Sequence, residues 1–156
     1  MDTQSYQNAK ELLKAQDYRA AERAFKKVLD SIDEHDRQYH TVQSYYGLAQ
    51  VLNGEENGLL LCRDAAGSEV ADGQVFLNLA CAELHSDNRK RAVEAIQHGM
   101  KVDADNPVLK GACAKLDCRT RCCFNFLPRG HAINRFFGRL RRRPVPEVTV
   151  HDLLFL

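Results

Sequence analysis

Between Ala9 and Leu29 small and apolar residues recur at helical spacing with one interruption: Ala9, Leu12 and Leu13, the polar break Gln16-Asp17-Tyr18, then Ala21, Phe25, Val28 and Leu29. Residues three and four apart share a helix face, so each half reads as an amphipathic helix. A break this short folds the two halves into an antiparallel hairpin, with the small residues where the backbones approach. The expected helices are Ser5 to Ala15, capped by Asp2 or Thr3, and Tyr18 to Ile32. A hairpin of this size cannot bury its apolar face alone, so the unit should recur.

It recurs near the other end of the helical stretch. Ala92, Ile96 and Met100 follow Ala80 by 12, 16 and 20 residues, the steps that lead from Ala9 to Ala21, Phe25 and Leu29. Ala9 and Ala80 lie 71 residues apart, which is two units of 34 and three residues of loop, so a middle unit is implied. Its first helix should begin near Arg37 or His40 and end at Asn53-Gly54, with Tyr45, Leu48 and Ala49 spaced like Phe76, Leu79 and Ala80. A turn about three residues shorter than its neighbours would put Gly58 where Ala21 and Ala92 stand, with Cys62 and Ala65 behind it. The fourth helix, Glu55 to Ala66, is weakened by glycine, which costs about 1 kcal/mol against alanine.

Helices five and six are expected over Gln74 to His85 and Arg89 to Val102. Pro107 suits a first helical turn, and Leu109, Ala112, Cys113, Leu116, Thr120 and Cys123 then describe a seventh helix. FNFLPRG, residues 124–130, breaks it. Ile133, Phe136, Phe137 and Leu140 follow at i, i+3, i+4 and i+7 with arginines between them, a short basic amphipathic helix. Beyond Pro144 and Pro146, Glu147 to Val150 reads as extended, and Leu153, Leu154, Phe155 and Leu156 follow.

The residues that recur resemble the tetratricopeptide repeat, a 34-residue helical hairpin with small, small and aromatic anchors. Ala9, Tyr18, Ala21 and Phe25 carry the resemblance in the first unit, and Phe76, Leu79, Ala80, Ala92 and the Asp103-Ala104-Asp105-Asn106-Pro107 ending carry it in the third. Ser5, Asn8 and Glu83 depart from it, standing where the family favours tryptophan, leucine and an aromatic. The resemblance implies an all-α fold, a right-handed α-α superhelix of about three hairpins (residues 2–35, 38–68 and 73–106) plus a covering helix over 107–123. An Arg-rich amphipathic helix and a hydrophobic tail make up 124–156, and FLPRGHAINRFFGRL is similar to an extension found on small bacterial members of the family.

It further implies a non-enzymatic adaptor or scaffold that holds a peptide or protein along a concave face lined by the first helix of each unit. That lining is Tyr6, Lys10, Leu13 and Lys14 from the first unit and Gln74, Leu77, Asn78, Cys81 and His85 from the third. The lysine, asparagine and arginine set with which some members clamp a terminal carboxylate is not reproduced by Tyr6, Lys10, Leu77 and Cys81.

Composition changes this picture in two places. Residues 1–117 carry 14 Lys and Arg against 19 Asp and Glu, whereas 118–143 carry eight arginines (Arg119, Arg121, Arg129, Arg135, Arg139, Arg141, Arg142 and Arg143) and no acid. Such a segment has three readings: a nucleic-acid binder with aromatics for stacking, a helix on an anionic membrane surface, or a helix whose apolar face packs on the acidic body. The second place is the tail, too apolar to lie exposed, which is expected to fill the protein's own groove or to dock on a second copy or a partner.

Elsewhere composition is that of a globular domain, 44% apolar and 28% charged. No apolar run approaches about 20 residues and MDTQSYQNAK lacks the features of a secretory leader, so a cytoplasmic protein is expected. Glycine-rich phosphate loops, paired metalloprotease histidines and serine elbows are missing from the sequence, and no enzyme or cofactor is expected. Cys62 and Cys81 fall in apolar helical patterns. Cys113, Cys118, Cys122 and Cys123 near His131 permit a metal or redox reading, but their spacing lacks paired zinc-ligand turns and packing explains Cys113 and Cys123.

Overall fold

The computed structural model describes residues 2–68, 71–116 and 148–154, whose regular elements are all α-helices with no strand among them. The helices are α1 (Thr3–Lys14), α2 (Tyr18–Asp30), α3 (Tyr39–Leu52), α4 (Asn57–Ser68), α5 (Gly73–His85), α6 (Arg89–Val102), α7 (Pro107–Leu116) and α8 (Val150–Leu154). The arginines from Arg119 to Arg143, Cys118, Cys122, Cys123, His131, the expected basic helix and Phe155-Leu156 lie outside the described residues. Among the described residues no helix is long and apolar enough to cross a membrane.

Side chains of Asp2, Asp17 and Asp72 accept backbone N–H groups at the starts of α1, α2 and α5, satisfying donors that a helix cannot pair internally. At the other ends, three turns share one design. Gln16, Gly54 and Asp87 adopt left-handed φ of 62°, 90° and 59°. Each donates its N–H to the carbonyl three residues back (Leu13, Val51, Leu84), and the next residue donates to the carbonyl five back (Leu12, Gln50, Glu83), at 2.8–3.1 Å. That pair of bonds is the Schellman closure, which lets the following helix reverse at once.

These turns revise the register of the middle hairpin. Counting seven residues back from the left-handed position gives Ala9, Gly47 and Ala80, so Gly47 and not Ala49 is the small residue of α3. Gly58 follows Gly47 by 11 residues, where Ala21 and Ala92 follow Ala9 and Ala80 by 12, so the middle unit is shorter by one residue rather than three. The approach there is very close: a Cβ on Gly58 would lie 2.3 Å from the Gly47 carbonyl oxygen, and one on Gly47 would lie 2.6 Å from that of Gly58. Packing thus explains a glycine that helix propensity alone disfavours.

Each of α1 to α6 packs on the helix that follows it, and α5 packs in addition on α3, α7 and α8. The core runs through all of them: Ala9 and Leu13, Ala21 and Phe25, Tyr45 and Leu48, Cys62, Leu77 and Ala80, Ala92 and Ile96, Leu109 and Leu116, and Leu153. Leu109 sits where Gly73 and Gly99 leave room, since a Cβ on either would meet its side chain at 2.7 or 3.1 Å. Leu153 is fully buried, so residues 148–154 belong with the helices up to Leu116 and not with the Arg-rich segment, with which the sequence groups them. The segment expected to be extended turns helical at Val150.

The two glycines of α4 make opposite predictions. Gly58→Ala should destabilise the protein by about 1–3 kcal/mol, because backbone and not a flexible side chain would have to move. Gly67→Ala, with nothing within 4 Å, should stabilise it by about 0.5 kcal/mol through helix propensity. Urea unfolding of the two variants beside the parent measures both, and a shift of the same sign in both would contradict the packing argument.

Candidate functional site

One face of α1 presents Tyr6, then Lys10 one turn on, then Leu13 and Lys14 together in the turn after that. α3 meets this face with Thr41, Val42 and Tyr45, and α5 with Gln74 and Leu77. Two cavities lie between them and share Lys10, Tyr45 and Gln74 in their walls. The first, about 160 Å³, is largely apolar and adds Leu13, Lys14, Leu77, Val108 and Leu154. The second, about 200 Å³, is polar and adds Tyr6, Gln38, Thr41, Val42 and Asp72. A groove with one apolar and one polar end can orient a peptide while also burying its apolar side chains.

Its aromatic wall is built from three helices. Phe25 of α2 stacks on Tyr45 of α3 at 5.2 Å between centroids and an interplanar angle of 11°, and Tyr6 of α1 meets both rings edge-on. Such ring pairs add about 0.5–1.5 kcal/mol beyond the area they bury. The Lys10 ammonium lies 5.5 Å from the Tyr6 centroid and 5.9 Å from that of Tyr45, within cation–π range. The cation is held against the wall of the groove instead of reaching freely into water.

The floor is tied by hydrogen bonds between α3 and α5. Thr41 Oγ1 donates to Asp72 Oδ2 at 2.6 Å, and the Gln74 N–H donates to Asp72 Oδ1 at 2.8 Å. Gln74 Nε2 donates to Asn78 Oδ1, Asn78 Nδ2 to Ser44 Oγ, and Ser44 Oγ to the Thr41 carbonyl, at 2.7–2.9 Å. The circuit fixes Gln74 between the buried seam and the open groove.

Of the nine lining residues expected from the sequence, Tyr6, Lys10, Leu13, Lys14, Gln74 and Leu77 come together here. Asn78 and Cys81 do not: both are fully buried, Asn78 in the polar seam and Cys81 in the core. His85 is exposed at the last turn of α5 and borders neither cavity. Tyr45, Thr41, Asp72, Val108 and Leu154 were not among the expected residues. A signal for the buried pair was present, because α5 is apolar around most of its circumference, as a helix with neighbours on several sides must be.

Burial governs the titratable groups of the site. It raises the Tyr6 phenol to about 12, with the Asp72 charge adding to the effect. Tyr45 is raised further, by burial first and then by Tyr6 and Asp72. Burial also pushes the Cys62 thiol up to about 12 and moves Cys81 in the same direction, so both stay protonated at neutral pH and act as small apolar groups. Among the described residues no three His, Cys, Asp or Glu side chains converge as metal ligands do.

Comparison of the chain with family models, with curated proteins and with solved structures gives no match.

The tyrosines predict a pH dependence. A phenol raised in the folded state ionises first in the unfolded chain, near pH 10, so folding loses stability as pH rises from about 10 toward about 12. Tyr6→Phe should flatten that decline in urea melts taken between pH 9 and pH 11, and an unchanged slope would show that the Tyr6 ring is not enclosed.

Proposed function

We propose that the chain is a non-enzymatic adaptor of the tetratricopeptide kind, a right-handed superhelix of three hairpins that binds a peptide or protein segment in the groove between α1, α3 and α5. The observation that carries the reading is that the groove is lined by the first helix of each hairpin, with Lys10, Tyr45 and Gln74 common to both of its ends. The three Schellman turns and the packing of α5 on both α3 and α7 support repetition of one unit, since in a repeat array each unit touches its neighbours. The division of the groove suits a ligand with an apolar side toward Leu13, Leu77 and Val108 and a donor toward Asp72. A cytoplasmic place and a protein partner follow from this reading.

A second reading rests on the eight arginines of residues 119–143, which would serve a nucleic acid or an anionic membrane surface.

Quantitative affinity capture with the full chain tests the two together. Lys10→Glu with Gln74→Ala should lower recovery of the protein partner at least about tenfold, equivalent to roughly 1.4 kcal/mol. A variant with Arg139, Arg141, Arg142 and Arg143 changed to alanine should keep it. Retention by the groove variant and loss from the arginine variant would exchange the two readings.

A further inference from the structure

The apolar end of the groove already has an occupant, and it comes from the same chain. α8 begins with a reciprocal cap: Thr149 donates its N–H and its hydroxyl to Asp152 Oδ2 at 2.8 and 2.7 Å, and the Asp152 N–H donates to Thr149 Oγ1 at 3.3 Å. These bonds hold the Asp152 carboxyl below the usual carboxylate range. The cap fixes a five-residue helix whose Leu153 is fully buried, while Leu154 is half-buried and lines the 160 Å³ cavity with Lys10, Leu13, Tyr45 and Leu77. Val148 and Val150 pack half-buried on the same core, and His151 and Asp152 face outward. Lys115 Nζ donates to the Asp152 carbonyl at 2.8 Å across from α7.

An isolated helix of five residues does not persist in water, so α8 owes its form to the surface that it covers. That surface therefore recognises a particular shape: one capped turn, an acidic residue at its third position and two leucines behind it. We propose that residues 148–154 are a built-in competitor for the groove, and that the external partner carries a segment of the same chemistry, a short capped helix with an acidic residue followed by two leucines, which displaces α8. The rim suits such a segment, since Lys10, Lys14 and Lys115 stand around the site with both leucines turned inward. The proposal deepens the adaptor reading by naming the class of partner, and it rests on the groove being the binding face.

The consequence is a lowered apparent affinity. A ligand for a site that is free only part of the time binds with its intrinsic constant divided by the free fraction, and an occupant on the same chain competes at a high effective concentration. Releasing α8 should therefore expose the full affinity of the groove.

The test uses the full chain and a fluorescent peptide of residues 146–154, PEVTVHDLL, read by anisotropy. Leu153→Asp in the chain should tighten peptide binding at least about tenfold over the parent. Because Leu153 is buried, a second variant, Thr149→Ala with Asp152→Ala, removes the cap from two exposed residues and should tighten binding about threefold while leaving far-UV helicity unchanged. A peptide carrying Leu153→Asp should not bind any of the three. Equal peptide affinity for the parent and the cap variant, or no binding to a cap variant of normal helicity, would overturn the proposal. Peptide exchange without partner capture would sink the adaptor reading and with it the partner's segment, leaving α8 as the groove's own competitor, and partner capture without peptide exchange would sink this proposal alone.

Discussion

Everything else in this structure depends on how closely α3 and α4 approach. Gly47 and Gly58 face each other's carbonyl oxygens at a separation that admits no methyl group, which draws the two backbones together along their length. The consequence is an α3 enclosed by α2, α4 and α5, with Val42, Gln43, Ser44, Tyr45, Leu48, Ala49 and Val51 all buried. An enclosed helix can be a pillar: Tyr45 turns toward α1 and α2 to build the aromatic wall, and Thr41 and Ser44 turn toward α5 to build the hydrogen-bonded floor. A wider α3–α4 spacing would leave Cys62, whose Sγ lies 3.4 Å from the Ser44 carbonyl, without that neighbour.

Burying so many polar groups is costly unless each is paired, because a lost partner in the interior costs about 1–3 kcal/mol. The structure meets the condition at Ser44, Asn78, Gln74, Thr41 and Asp72 with one closed circuit, and at Gln43 with a bond to Asp64. Glu83 is the costlier case. It is buried, stands where the resemblance favours an aromatic ring, and pairs through Oε1 with Arg63 Nε at 2.8 Å. The Arg63 side chain stays partly exposed while that of Glu83 is buried, so the arginine serves a buried acid without being buried itself. The pair spans α4 and α5, so it fixes on one side of α5 what the Asn78 circuit fixes on the other.

Much of this was readable in the chain because local signals agreed. Asp2, Asp17 and Asp72 cap helices where the apolar spacing begins, and α6 runs over Arg89–Val102 as the spacing predicts. The middle register was not readable, for a physical reason: spacing alone matched Ala49 to Ala80, whereas the backbone places Gly47 there through a left-handed Gly54 and a turn one residue shorter. At the groove the face of α1 was legible, since α1 has one exposed side. Asn78 and Cys81 were misplaced because periodicity cannot assign an outward face to a helix with neighbours on α3, α4, α6, α7 and α8. The Thr149-x-x-Asp152 cap was a helix signal that the neighbouring prolines and valines concealed.

The tail turns this comparison into an argument about energetics. Both sides of the α8 contact gain from it. α8 is too short to hold its helix alone, and the end of the groove formed by Leu13, Leu77 and Val108 would otherwise face water as apolar surface. Covering Leu153 fully is worth about 1.5–3 kcal/mol on the scale of a buried leucine, and fixing the backbone of α8 opposes it. The cap, the bond from Lys115 and the partial burial of Val148, Val150 and Leu154 add to the favourable side. Favourable contacts and lost backbone freedom therefore oppose each other, and α8 is seated by many small contacts rather than by one strong one. An occupant seated by many small contacts yields, on the proposal made above, to a segment that makes the same contacts and a few more.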